Sequence, residues 1–157
     1  MLAAHFGAEL VDSVLARYPL NGDNDARPEL ASALTDNVWA CPTARDSRQL
    51  ALRTSVHGYE FADRTAPLLL VFQNLPPFEY LAYHSSELPY LFEFGSVTLT
   101  PAQQQLSDQM IQAWGRFAAT GDPGWPGHPQ VQSLAPGAIQ PVDYETEHQC
   151  EFWSSVR

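Results

Sequence analysis

The sequence predicts an α/β fold whose sheet is incomplete on its own, and three observations carry that reading. Two or three strand-like runs occur among three or four helical stretches. The helix over 101–119 carries start and stop signals at its two ends. The strand-like runs are too few to close a doubly wound sheet of ordinary size. At 157 residues and 45% hydrophobic content the chain has the length of one ordinary domain and enough apolar side chains for a core.

Taken in order, "MLAAHFGAELVDSVLARYP" predicts an amphipathic helix over 1–18 with Leu2, Phe6, Leu10, Val14 and Leu15 on one face, ending before Pro19. It lacks a charged leader and carries Glu9 and Asp12 within its apolar pattern, so it reads as a helix and not as a signal peptide. "NGDNDARP" is turn chemistry. Asp23 and Asp25 do not make a calcium loop of it, because Arg27 stands where a ligand is needed and no terminal Glu follows. From Pro28 to Val56 the pattern is helical in two pieces, with Asp36 as a cap and Pro42 starting or kinking the second. Gly58 breaks it. "YEFADR" then reads as a strand with Tyr59 and Phe61 inward, Leu68 to Phe72 as a second apolar run, and Pro76 and Pro77 as an irregular loop leading to His84.

Thr100 predicts a helix cap, Pro101 suits the first helical position and Gln103 completes a capping box. Leu106, Met110, Ile111, Trp114, Phe117 and Ala118 form one apolar stripe that reads as core, and Gly121 ends the helix. Beyond it the chain is rich in Pro and Gly up to "PVDYETEHQCEFW".

The formal net charge of −10, with eight scattered arginines and no lysine, excludes a nucleic-acid surface, which needs clustered cations. No apolar run approaches the about 20 residues of a transmembrane helix. His148 and Cys150 are half of a zinc site with nothing to complete it, and His5, His57 and His128 have no partner pattern, so neither a metal nor another cofactor is expected. Spacing alone leaves Cys41 and Cys150 as either two buried thiols or a pair.

The remaining chemistry lies in "YLAYHSSELPYLFEFG", where His84 stands half sheltered between an apolar approach and a short helix, a good setting for a base. Ser85 and Ser86 cannot complete a triad with it, because neighbouring residues point apart. No G-x-S-x-G elbow and no glycine-rich oxyanion segment occurs in the 157 residues. On the residues alone His84 reads as a structural histidine.

A resemblance changes that reading. "TDNVWACP" at 35–42, "YEFADRTAP" at 59–67, "AYHSSELPYLF" at 82–92, "LSDQMIQAWGRFAATGDPGWP" at 106–126 and "QCEFW" at 149–153 follow one another as in the type-B carboxylesterases. That branch of the α/β-hydrolases includes the cholinesterases, and the chain resembles its C-terminal portion. The resemblance implies the last strands and helices of the hydrolase sheet over 1–157, as a segment of one domain whose N-terminal portion, with the nucleophile elbow and oxyanion loop, is absent. It implies that His84 is the triad histidine, that Glu87 supports it from three residues on, and that Cys41 is bridged to Cys150. The implied activity is hydrolysis of small-molecule carboxylic esters by a secreted serine esterase, with the isolated chain inactive for want of its serine and its partner the missing portion of the same fold. The alternatives are a cholinesterase-like binding or adhesion module without catalysis, and a truncated gene remnant.

Overall fold

The computed structural model describes residues 2–20, 25–70 and 78–156. They form two compact units, one of Met1–Leu52 with Asp143–Arg157 and the other of Arg53–Val142.

In the first unit the N-terminal helix is divided. Gly7, at φ 87°, separates α1 (Leu2–Phe6) from a 3-10 turn (Ala8–Leu10) that runs into α2 (Val11–Arg17). Most of the predicted face survives the break: Phe6 and Val14 are buried and Leu2 and Leu10 pack against the same cluster, while Leu15, only partly buried, lies outside it. The long helical stretch is continuous, as α3 (Arg27–Leu34), a π-helical segment (Thr35–Ala40) and α4 (Cys41–Ala51). Pro42 explains the join, because it lacks the amide that would bond to the Val38 carbonyl and its ring crowds that oxygen; the chain widens to π turns just before it. Asp36 is therefore no cap but a buried side chain within the π segment. Two short helices, α7 (Tyr144–Glu147) and α8 (Cys150–Ser155), complete the unit. Trp153 and Phe152 join Phe6, Val14 and Ala33 in its core, with the Phe6 and Trp153 rings 5.2 Å apart.

Cys41 and Cys150 are disulfide-bonded, with Cα atoms 5.2 Å apart across 109 residues of sequence. Beside the bridge the Asp36 carboxylate accepts the Tyr18 hydroxyl at 2.7 Å and meets His148 Nδ1 at 2.6 Å, and Trp153 Nε1–H donates to the Tyr18 oxygen at 2.8 Å. His148 is thus engaged with a carboxylate, and no group of three or more metal-ligating side chains occurs among the described residues. Burial first, then the bond to Asp36, pushes the Tyr18 phenol up from its ordinary range. Asp23 lies outside the described residues; Asp25 binds Arg27 at 2.6 Å.

The second unit holds the sheet, with strand order β1 (Gly58–Phe61), β2 (Val131–Ala135), β3 (Ala138–Val142). β1 and β2 are parallel, Gly58 opposite Val131 and Phe61 opposite Leu134, while β2 and β3 are antiparallel from Val131 opposite Val142 to Ala135 opposite Ala138. The hairpin was not expected from the Pro- and Gly-rich tail, yet its signals are there. Pro136-Gly137 supplies a turn with Gly137 at φ 73°, β2 alternates its burial with Gln132 and Leu134 inward, and Pro141 suits an edge strand such as β3. Leu68, Leu69 and Leu70 form no strand, and Val71 and Phe72, with Pro76 and Pro77, lie outside the described residues.

Two helices pack within this unit, α5 (Leu88–Leu91) and α6 (Pro101–Thr120). α6 has the predicted box, in which Gln103 N donates to Thr100 Oγ1 and Gln103 Oε1 accepts from Thr100 N at 3.0 Å, and it ends at Gly121 with φ 78°. Its stripe is narrower than predicted: Leu106 and Met110 are buried with Tyr90 and Leu134 and Trp114 packs against them, whereas Ile111 and Phe117 are half exposed. None of the described helices is long and apolar enough to cross a membrane.

Candidate active site

His84 sits in a turn over 84–87 that leads into α5. The turn is closed by Ser86 N donating to Tyr83 O at 2.9 Å and Leu88 N donating to Ser85 O at 3.2 Å. Left-handed backbone flanks the histidine on both sides, with Leu81 at φ 53° and Ser85 at φ 74°. Non-glycine residues in such conformations cost on the order of 1–3 kcal/mol each and persist only where the surroundings over-determine them. Here the surroundings are visible. Tyr83 donates its hydroxyl to Pro67 O at 2.9 Å and accepts Leu69 N–H at 3.1 Å, and Ser86, Pro89 and Tyr90 are buried on the far side. The His84 side chain itself is exposed, less sheltered than the sequence suggests, because the turn spends its buried positions on Ser86 and α5.

Beneath α5 lies a buried carboxylate that the sequence did not single out. Asp63 Oδ1 accepts Thr65 N at 2.8 Å and Thr65 Oγ1 at 2.7 Å, while Oδ2 accepts the Tyr90 hydroxyl and Gln103 Nε2, the latter at 2.8 Å. Gln103 Nε2 also donates to Thr65 O at 3.1 Å, and Ser107 Oγ donates to Tyr90 O at 2.7 Å. One carboxylate thereby joins the chain after β1, α5 and the first turn of α6. The helper available from sequence is the Asp-x-Thr spacing after the strand, which forms a local turn on the aspartate.

Burial works to raise the Asp63 carboxyl, but the bonds from Tyr90, Thr65 and Gln103 outweigh it and hold it below the usual carboxylate value. Burial and Asp63 together push the Tyr90 phenol up. A lowered folded-state value stabilises the fold at pH above the unfolded value of about 3.8, and that contribution is lost as pH falls through the lower folded value. Tyr90→Phe removes one donor from a buried charge and is expected to cost about 1–3 kcal/mol. Urea denaturation at neutral pH checks it, and the deficit should shrink on acidification.

Glu87, three residues beyond His84, is half-buried. Its charge reaches Tyr59 on β1, whose phenol is raised first by burial and then by that carboxylate. Ser86 is fully buried, with its Oγ lacking a hydrogen-bond partner among the described residues, and Ser85 lies in the left-handed position. Among the described residues no side chain is hydrogen-bonded to the His84 ring. His57 is engaged elsewhere, its Nδ1 3.0 Å from Trp125 O.

The conformation of Ser85 makes its own prediction. Ser85→Val places a β-branched side chain at φ 74° and is expected to destabilise by about 1–2 kcal/mol, whereas Ser85→Gly should hold or gain stability. Paired denaturation midpoints of the two variants check this.

A parallel strand pair extended by an antiparallel hairpin, with helices packed against it, is an α/β arrangement. The solved structure of PNB esterase has this fold, matching with a TM-score of 0.64 at 22% identity over 95% of the chain and 31% of its own length. The carboxylesterase family model matches residues 3–153, and the chain belongs to that family. Human cocaine esterase is 27% identical over 87% of the chain and 26% of its own length, and acetylcholinesterase of Bungarus fasciatus is 30% identical over 98% and 28%. The chain thus spans between a quarter and a third of the length of these relatives.

Proposed function

We propose that this chain is the C-terminal segment of a carboxylic-ester hydrolase domain and supplies its catalytic base, His84. The observation that carries the reading is an exposed histidine fixed between two left-handed residues, Leu81 and Ser85, on a turn anchored by Tyr83, Ser86 and Tyr90, in a member of the carboxylesterase family. Strain held in place by buried bonds beneath an exposed imidazole is an arrangement that suits a positioned base better than a structural side chain.

In this reading His84 Nε2 takes the proton of a serine hydroxyl as the serine attacks the ester carbonyl, and returns it to the departing alcohol. Water then repeats the sequence on the acyl-enzyme, with His84 again base and then acid. The serine, the triad acid and the oxyanion donors belong to the family portion that the chain does not span. Neither serine beside His84 fits the nucleophile's part: Ser86 is fully buried, and both are too close in sequence to face the ring. Glu87, three residues on, plays a supporting part in this reading. Substrates are small-molecule esters, and the disulfide fits an oxidising, secretory setting.

The chain alone is therefore inactive. The experiment is labelling with an organophosphonate serine probe together with turnover of p-nitrophenyl butyrate. The 157-residue chain should show neither labelling nor saturable turnover, and a protein joining it to the serine-bearing portion should show both. Stoichiometric labelling of the chain by itself would overturn the reading.

A further inference from the structure

We propose that Asp63 is a positioning residue for His84, a buried carboxylate on which the clamps at both sides of the histidine turn converge. The proposal rests on the reading of His84 as the base and extends it to what aims the imidazole.

The clamp after the histidine is Tyr90. Its hydroxyl donates to Asp63 Oδ2 and its carbonyl accepts Ser107 Oγ at 2.7 Å. Tyr90 N donates to Glu87 O at 2.9 Å and Leu88 N to Ser85 O at 3.2 Å, so α5 is bonded directly into the turn. The clamp before the histidine is Tyr83, whose hydroxyl donates to Pro67 O at 2.9 Å and accepts Leu69 N–H at 3.1 Å. The segment that presents Pro67 is folded on the same aspartate. Asp63 Oδ1 accepts Thr65 N and Thr65 Oγ1, Asp63 O accepts Ala66 N at 3.3 Å, and Gln103 Nε2 donates to both Asp63 Oδ2 and Thr65 O.

An ionised carboxylate offers about four lone-pair sites, and hydrogen bonds to a charged acceptor are roughly twice as strong as neutral ones. Thr65 N, Thr65 Oγ1, the Tyr90 hydroxyl and Gln103 Nε2 take those of Asp63, which is 2% exposed. Burial keeps water from competing for them. Beside the clamps Leu81 and Ser85 hold left-handed backbone, which persists only while its surroundings enforce it. Loosening either clamp frees the turn, and a displacement of about 1 Å at a reacting group can lower a rate about 10²-fold.

Hydrogen exchange of the chain and turnover by the protein that joins it to the serine-bearing portion form the test, both well below the melting temperature. Three variants loosen the network. Asp63→Asn removes the charge, Tyr90→Phe cuts the later clamp, and Thr65→Val takes one hydroxyl donor from Asp63 at an exposed position. The last keeps the test open if the first does not fold, and Thr65→Ser restores the donor. As a control, Gly121→Ala strains the far end of α6, at φ 78°, and destabilises the same unit away from Asp63. In the three variants exchange over 83–88 should quicken about tenfold, and kcat should fall about tenfold or more with KM little changed. Thr65→Ser and Gly121→Ala should stay within about twofold of the parent in both. Equal quickening in Gly121→Ala, or none in Tyr90→Phe and Thr65→Val, would overturn the proposal. So would an unchanged kcat in those two variants where His84→Ala abolishes turnover. Turnover that survives His84→Ala would overturn the base reading and with it the catalytic purpose of Asp63, while exchange would still decide whether Asp63 holds the turn.

Discussion

Replacing His84 by alanine, in a protein that joins this chain to the serine-bearing portion of the family, is expected to lower kcat by about 10⁴-fold or more while changing KM little. The size follows from the role proposed for the imidazole. In that role it would make the serine nucleophilic at the moment of attack and protonate the leaving alcohol, and without it the remaining triad members would contribute almost nothing on their own. Substrate contacts made equally in the ground and transition states are untouched, so KM is the control. A structural role would look different: His84 is exposed, so its removal should leave the melting temperature within about 1 °C of the parent, in keeping with surface substitutions. High concentrations of imidazole should return part of the lost rate in the alanine variant. Loss of stability in parallel with loss of rate, or a fall of less than tenfold in kcat, would remove His84 from the mechanism.

Reducing the Cys41–Cys150 bridge is expected to cost about 4–5 kcal/mol, from a closed loop of 109 residues in the chain-entropy treatment. The placement makes the effect selective. Both cysteines belong to the unit formed by the two ends of the chain, so the bridge ties a discontinuous unit across the whole of the other one. The cluster of Phe6, Val14, Phe152 and Trp153 then depends on it, since α8 is only six residues long and docks largely through Phe152 and Trp153. Hydrogen exchange after reduction should show lost protection over 2–52 and 143–156, with the strands and α6 protected as before. Thiol titration of the denatured, unreduced chain should find no free thiol.

The sequence was most legible where local chemistry alone decides structure. Thr100, Pro101, Gln103 and Gly121 placed both ends of α6, because a cap is made by residues within one turn of it. β1 was readable as a strand but not in its faces: Phe61 packs against the core as expected, whereas Tyr59, expected inward, is 45% exposed. The N-terminal helix kept its buried face but not its continuity, since a single glycine at φ 87° redirects the backbone without disturbing the apolar spacing. The hairpin at 131–142 escaped because β3 is largely exposed and so lacks the alternation that marks a half-buried strand. Asp36 looked like a cap because aspartate commonly is one, and only the Tyr18 and His148 contacts, made from 18 and 112 residues away, give it a buried place. Asp63 was hidden likewise, its partners Tyr90 and Gln103 being 27 and 40 residues distant. The role proposed for His84 came from the resemblance alone, because a triad assembled from distant segments leaves no local spacing to read.

The discontinuity of the bridged unit has a consequence for how the chain is made. Synthesis runs from the N-terminus at about 5–20 residues per second, so roughly 5–20 seconds separate the appearance of Cys41 from that of Cys150. The strands and α6 lie between them and can fold in that interval. The helices of the first 52 residues cannot, because Phe152 and Trp153 are still unmade. Cys41 must wait as a thiol beside half a core, and during that wait any other cysteine in reach is a competitor for it. A ribosome-bound chain stopped before Cys150 should therefore react at Cys41 with a thiol-specific reagent.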